Sequence, residues 1–77
     1  MTKENLSEIA EGLGWTNLGP QKNGWMISFL YEDTGTRCNV YYTTMTFQFQ
    51  KKNGTFRVFR EVESIEEFEK LLLEHYI

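Results

Sequence analysis

Two side chains in this 77-residue sequence suggest covalent chemistry, a single cysteine and a single histidine. Cys38 stands among strand-forming residues with no histidine or helix end beside it, and His75 stands near the end of the sequence. A reactive thiol needs a neighbour that stabilises its thiolate, and a lone cysteine in a strand usually serves as a small hydrophobic residue. One cysteine also excludes an intrachain disulfide framework and any multi-cysteine zinc site. We therefore expect no catalytic residue, no metal site and no cofactor.

The acidic residues suggest no catalytic pair either. Asp33 belongs to a predicted turn, and most glutamates fall on the polar sides of two predicted helices. General acid–base catalysis needs a carboxylate whose pKa is displaced by burial or by a like charge. Gly12 and Gly14 follow a helix, whereas a phosphate-binding glycine loop precedes one. The sequence thus predicts a protein that binds and is not an enzyme.

The charges are distributed unevenly, although the formal net charge is only −3. Residues 1–14 carry three glutamates and one lysine, and residues 61–77 carry six glutamates and one lysine. Residues 15–60 carry six lysines and arginines against Glu32 and Asp33. The middle of the chain is therefore basic and both ends are acidic.

Apolar spacing predicts a helix at each end of the chain. Leu6, Ile9, Ala10 and Leu13 form one apolar stripe, which indicates a helix over about residues 3–13. The second helix is predicted over residues 65–75, where Ser64 and Glu67 match the capping box. Its apolar positions, which include Tyr76, repeat at helical spacing.

The region between the helices predicts an antiparallel β-meander of three or four strands. It holds most of the β-branched residues, and we expect strands over residues 15–18, 24–32, 37–50 and 55–62. The tripeptide Lys-Asn-Gly occurs at residues 22–24 and 52–54, and Asn-Gly favours the type I′ turn of a hairpin. The expected fold is a single α+β domain over residues 1–77, with both helices on one face of the sheet.

Two irregularities bear on which side chains share a face. The apolar phase of the long middle strand changes near residues 42–44, which predicts a β-bulge there. At the second Lys-Asn-Gly, a loop of two or four residues places Phe47, Phe49, Phe56 and Val58 on one face. A three-residue loop puts Phe49 opposite Arg57 and inverts the strand, so we expect one of the other two lengths.

This register predicts an uncovered sheet face that carries basic, amide and aromatic side chains. Bases stack on aromatic rings while arginine and lysine hold phosphates, so the face fits single-stranded nucleic acid. The predicted contact residues are Arg57, Phe59, Lys51, Lys52, Arg37, Tyr41 and Gln48.

Protein binding is the alternative function. An exposed strand edge in a small sheet invites an added strand from a partner or from a second copy, which allows a homodimer. The sequence has no apolar run long enough to cross a bilayer and does not begin like a secretory signal. We expect a soluble intracellular protein, cytoplasmic or nuclear.

Overall fold

Five antiparallel strands lie between two helices. The computed structural model describes residues 2–75, apart from the side chains of Lys3 and His75. The elements follow in the order α1 (Lys3–Gly12), β1 (Thr16–Gln21), β2 (Met26–Tyr31), β3 (Thr36–Tyr41), β4 (Thr46–Gln50), β5 (Phe56–Phe59) and α2 (Ile65–His75). Each strand pairs with the next along the chain, in the sheet order β1-β2-β3-β4-β5. The predicted α+β fold is confirmed, with five strands in place of three or four.

Side-chain caps begin both helices. The Thr2 hydroxyl accepts a hydrogen bond from the Asn5 backbone N–H at 3.2 Å, and the Ser64 hydroxyl accepts one from Glu67 N–H at 3.1 Å. Each bond satisfies a donor that the first helical turn leaves without a partner. The predicted bounds of α2 are confirmed, although the predicted contribution of Tyr76 lies outside the described residues. Within the described part of the chain, neither helix is long and apolar enough to cross a membrane.

The predicted long middle strand is wrong, because a turn divides it into β3 and β4. Residues 42–45 form this turn, Met45 has a φ of 53°, and Thr44 N–H bonds the Tyr41 carbonyl at 3.2 Å. The change of apolar phase therefore marks a reversal of the chain and not a bulge. The sheet has its bulge in β1 instead, between Asn17 and Gly19, and β1 continues through Pro20 to Gln21. A proline is tolerated there because β1 is an edge strand.

The expected register of β5 is also wrong. Phe49 pairs with Arg57 and Phe47 pairs with Phe59, which is the arrangement that a three-residue loop produces. Gly54 has a φ of +94°, its N–H bonds the Lys51 carbonyl at 2.9 Å, and Lys51 N–H bonds the Thr55 carbonyl at 2.7 Å. A turn closed by a left-handed glycine is the usual three-residue hairpin loop, whereas type I′ would require positive φ at Asn53. Arg57 and Phe59 consequently share a face with Phe49.

Both helices pack on one face of the sheet, here called the helix face. The buried cluster joins Leu6 and Ala10 of α1 and Phe68, Leu71 and Leu72 of α2 to the sheet. The Phe68 ring meets the Phe47 ring edge-on at 4.8 Å between centroids. The strand members of the cluster are Ile27, Phe29, Cys38, Val40, Phe47 and Phe49. The opposite side of the sheet, here called the open face, carries the alternate strand side chains, among them Ser28, Arg37, Asn39 and Gln48.

Candidate nucleic-acid interface

The open face is built from cross-strand rows that alternate with the rows of the core. In one central row Ser28 pairs with Asn39, Asn39 with Gln48, and Gln48 with Val58. In the adjacent row Leu30 pairs with Arg37, Arg37 with Gln50, and Gln50 with Phe56. Met26 and Leu30 are apolar and lie outside the core cluster, although Met26 is buried and Leu30 is partly buried.

Arg37 is held across this face by side chains of β2 and β3. Its Nε donates to Asn39 Oδ1 at 3.0 Å and its Nη2 donates to Ser28 Oγ at 3.2 Å. Ser28 Oγ donates in turn to Asn39 Oδ1 at 2.8 Å, and Asn39 Nδ2 donates to Gln48 Oε1 at 3.4 Å. Ser28 and Asn39 are only 0% and 8% exposed, so these bonds form a buried base beneath the guanidinium.

Arg37 determines the donor and the acceptor in each hydrogen bond of this network. A guanidinium only donates, so the Asn39 atom facing it must be the carbonyl oxygen. The Asn39 amide nitrogen must then donate, and Gln48 accepts with its own carbonyl oxygen. The groups of this network that remain without a partner in it are N–H donors on Gln48 and Arg37. The surface above the network is therefore suited to a ligand that presents hydrogen-bond acceptors.

Among the described residues, Arg37 also lacks a counter-ion. Lys70 and Glu74 of α2 form an ion pair at 3.9 Å, and no carboxylate lies within that range of Arg37 among the described residues. The guanidinium is half-buried, and its nearest fixed partners are a hydroxyl and an amide oxygen, both neutral. Such a cation attracts an anion more strongly than a fully solvated one, because screening by water is weaker there.

Aromatic and basic side chains lie on either side of Arg37. Tyr41 lies four residues along β3 on the same face, about 13 Å away at strand spacing. The Lys22 Nζ lies 5.6 Å from the centre of the Tyr41 ring, a cation–π distance. Phe56 lies two strands from Arg37, about 10 Å away, and is 60% exposed.

Of the predicted contact residues, the structure places Arg37, Tyr41 and Gln48 together on the open face. Lys51 and Lys52 lie in the exposed region after β4, near the Arg37 end of the face. The stem of Lys52 runs along Gly35 in the turn between β2 and β3, where an added Cβ would lie 3.2 Å from Lys52 Cδ.

The predicted placement of Arg57 and Phe59 on the open face is wrong. The register of β5 turns both side chains toward the helix face, where the Phe59 ring packs against Phe49 at 6.0 Å between centroids. Phe56 and Val58 take their places on the open face. This exchange follows from the length of one loop.

The residues that sequence reasoning missed are Ser28, Asn39, Lys22 and Phe56. Alternation along β2 and β3 was a signal for the first two, because Ser28 and Asn39 stand between apolar residues that share the opposite face. No short-range pattern predicts that Lys22, which lies in the loop after β1, reaches Tyr41 on β3.

Cys38 has the surroundings of a core residue. It is fully buried in the helix-face cluster, and this burial raises the pKa of the thiol. A thiol that stays protonated is a poor nucleophile. The side chain of His75, the other half of a Cys38–His75 pair, lies outside the described part of the structure.

We compared the chain with protein-family models, with curated proteins and with solved structures. None of the three comparisons found a match.

Proposed function

We propose that the open face binds single-stranded nucleic acid. The observation that carries this proposal is the half-buried Arg37 guanidinium, oriented by Ser28 and Asn39 and without a carboxylate partner among the described residues. A phosphate supplies both the negative charge and the acceptor oxygens that such a group lacks. Because the orientation of Arg37 is set in the free protein, less side-chain entropy is lost on binding.

The aromatic residues supply the second half of the recognition. Phe56 and Tyr41 offer rings on the same face as Arg37, and bases stack on such rings whatever their sequence. Unpaired bases expose their faces for stacking, whereas the bases of a duplex are already stacked on one another. We therefore expect single strands to bind more tightly than duplexes, with little sequence preference.

Lys22, Lys51 and Lys52 provide further contacts for phosphates. Lys22 lies beside Tyr41, and the other two lie near the Arg37 end of the face, so basic groups flank both ends. A strand laid across the face would pass from one to the other. Each phosphate neutralised contributes about −0.7 to the slope of log K against log salt for single strands.

Fluorescence polarisation with a labelled oligothymidine, its RNA counterpart and a duplex of the same length tests the proposal. We expect binding at about 50 mM salt that weakens steeply as salt rises. Phe56→Ala should weaken binding by about fivefold to hundredfold, the range expected for one stacked base. Absence of binding to both single strands at low salt would refute the proposal.

Matched controls separate the open face from general surface effects. Leu73 on α2 is 55% exposed, close to the exposure of Phe56, so Leu73→Ala removes a comparable apolar side chain elsewhere. Lys70→Glu changes charge on α2 by the same amount as Lys22→Glu changes it beside Tyr41. We expect Lys22→Glu to lower affinity and the salt slope, and both α2 variants to bind like the original chain.

Protein binding is the second candidate, favoured by the exposed apolar side chains of Phe56 and Val58 on edge strand β5. Salt dependence discriminates between the two functions. A partner held by apolar contacts and strand pairing keeps its affinity as salt rises, whereas nucleic acid loses it.

A further inference from the structure

The outer edge of β5 presents backbone hydrogen-bonding groups that no strand takes up among the described residues. Lys51 N–H bonds the Thr55 carbonyl, which sets the phase of the β4–β5 ladder. In an antiparallel pair, directly opposed residues alternate between bonded and non-bonded pairs. Arg57 and Phe59 therefore bond toward β4, and the N–H and C=O groups of Phe56 and Val58 point away from the sheet.

The two side chains that β5 presents on the open face do not protect this edge, and the one charged residue of the strand, Arg57, lies on the helix face. Phe56 is 60% exposed and Val58 is 36% exposed, and both are apolar. Edge strands are normally shielded by a charge, a proline or a bulge. The opposite edge, β1, has two of these devices, the bulge between Asn17 and Gly19 and the missing N–H of Pro20. The two edges of the sheet are thus unequal, and β5 is the one open to pairing.

We propose that two copies of this chain pair through β5, antiparallel, to form one continuous sheet. The twofold axis passes midway between the two copies of Val58, which lie directly opposite each other. Arg57 of each copy then lies opposite Phe59 of the other. Both sets of helices then lie on the same side. The pairing consumes a strand edge and leaves the open face uncovered, so the dimer neither requires nor prevents nucleic-acid binding.

Charge supports a second copy as the occupant. A groove of about 250 Å³ runs between β5 and α2, and its lining includes Phe59, Glu67, Lys70 and Leu71. Lys70 is paired with Glu74 at 3.9 Å, whereas Glu67 makes no ion pair within the described part of the chain. In the proposed register the partner copy's arginine at position 57 lies beside Phe59 on the helix face. It thereby reaches the groove that contains Glu67.

Arg57, like Glu67, has no ion-pair partner within the described part of its own chain. It is exposed and makes no ion pair among the described residues, although Glu74 and Arg57 line the same neighbouring groove. By symmetry, the pairing forms two contacts between Arg57 and Glu67 across the interface. Arg60 also lines the groove and opposes this attraction in part, so we expect a reversible dimer.

The other registers are less favourable. Centring the pair on Arg57 places like charges directly opposite each other, which destabilises a strand pair. Centring it on Phe56 places Val58 opposite Gly54, outside the strand. The axis at Val58 is the one that avoids both problems.

Sedimentation equilibrium of the full chain measures the dimer, and a charge exchange tests its contacts. Arg57→Glu and Glu67→Lys should each weaken self-association at least tenfold, because each creates a like-charge contact. Mixing the two variants restores both attractive contacts, so the mixture should dimerise about as well as the original chain. A chain that stays monomeric at millimolar concentration, or a mixture no better than its components, would overturn the proposal.

Two further variants test the edge and the register. Val58→Lys should abolish the dimer, whereas Gln50→Lys, an exposed position on the neighbouring strand, should not. A short bismaleimide should link a Val58→Cys pair. An Arg57→Cys pair should resist oxidation to a disulfide, since its α-carbons lie about 8 Å apart, beyond the reach of that bond. Rapid disulfide formation by Arg57→Cys would show the axis at Arg57 and refute the register.

Discussion

The Nε atom of Arg37 lies 3.0 Å from Oδ1 of Asn39, two residues further along the same strand. The arginine side chain is therefore laid along the surface of β3, where Ser28 Oγ holds its other end. A free arginine or lysine loses rotamer entropy when a ligand immobilises it. In this protein the Arg37 side chain is already held by Asn39 and Ser28, so much of that entropy loss occurs on folding.

The first prediction concerns the stability of this network. Asn39→Ala removes the acceptor of both Arg37 Nε and Ser28 Oγ, and Ser28 has no exposed surface with which to find water. The free energy of unfolding should fall by about 1–3 kcal/mol, the cost of leaving buried polar groups unsatisfied. Urea unfolding followed by circular dichroism measures the change. Gln50→Ala, at an exposed position outside the network, should change the stability by less than about 0.5 kcal/mol.

A second substitution at the same position separates stability from binding. Asn39→Asp keeps an acceptor for Arg37 and Ser28 but gives the guanidinium a carboxylate partner. The oligonucleotide affinity should fall at least tenfold at low salt, while the free energy of unfolding stays above that of Asn39→Ala. Polarisation and urea titrations of the same samples check both values. Unchanged affinity in Asn39→Asp would mean that Arg37 does not contact the phosphates.

The third prediction uses two glycines with opposite backbone requirements. Gly54 has a φ of +94° and open space around it, so Gly54→Ala should cost about 1–2 kcal/mol from backbone strain alone. Gly12 ends α1 without a positive φ and also has open space, so Gly12→Ala should stabilise the fold by about 0.4–1 kcal/mol. Thermal unfolding of both variants gives the comparison. Equal effects at the two positions would contradict the three-residue loop between β4 and β5.

The fourth prediction concerns Cys38. Burial raises the pKa of its thiol, so the folded chain keeps the proton at pH values where the unfolded chain loses it. The resulting stability is fully present below about pH 8.5, the ordinary thiol pKa, and is lost as the pH rises further. The loss reaches up to about 1.4 kcal/mol per pH unit. The free energy of unfolding of Cys38→Ala should therefore lack this pH-dependent loss between about pH 8 and 10. In a separate test, a thiol reagent should modify native Cys38 only as fast as the chain unfolds.

The helices could be predicted because their signals are local. Caps such as Ser64 and a run of apolar spacing specify α2 within one segment, whatever the rest of the chain does. The turn between β3 and β4 could not be predicted in the same way, because Tyr42, Thr43, Thr44 and Met45 include no glycine, proline or asparagine. Its support comes from elsewhere: the Tyr42 hydroxyl donates to the Gly24 carbonyl, and Val62 N–H bonds the Met45 carbonyl at 3.1 Å.

The prediction of the candidate site was wrong for a different reason, the length of one loop. Asn53-Gly54 indicates a hairpin, but the φ angle of Asn53 decides whether the loop has two residues or three, and that choice exchanges the two faces of β5. The predicted assignment of Arg57 and Phe59 to the open face depended on this loop length alone. Arg37, Tyr41 and Gln48 lie in strands whose alternation is fixed by the buried residues Cys38, Val40, Phe47 and Phe49, and their predicted face was independent of the loop.

The inequality of the two sheet edges sets a limit on assembly. If both β1 and β5 accepted a strand, each added copy would offer a fresh edge and the sheets would grow into an open-ended fibre. With the N–H of Pro20 missing and the bulge between Asn17 and Gly19 interrupting β1, one edge terminates the sheet. The proposed pairing of β5 with itself would occupy the other edge on both copies at once. Growth would then stop at two chains, and the exposed apolar strand would be buried in a closed dimer.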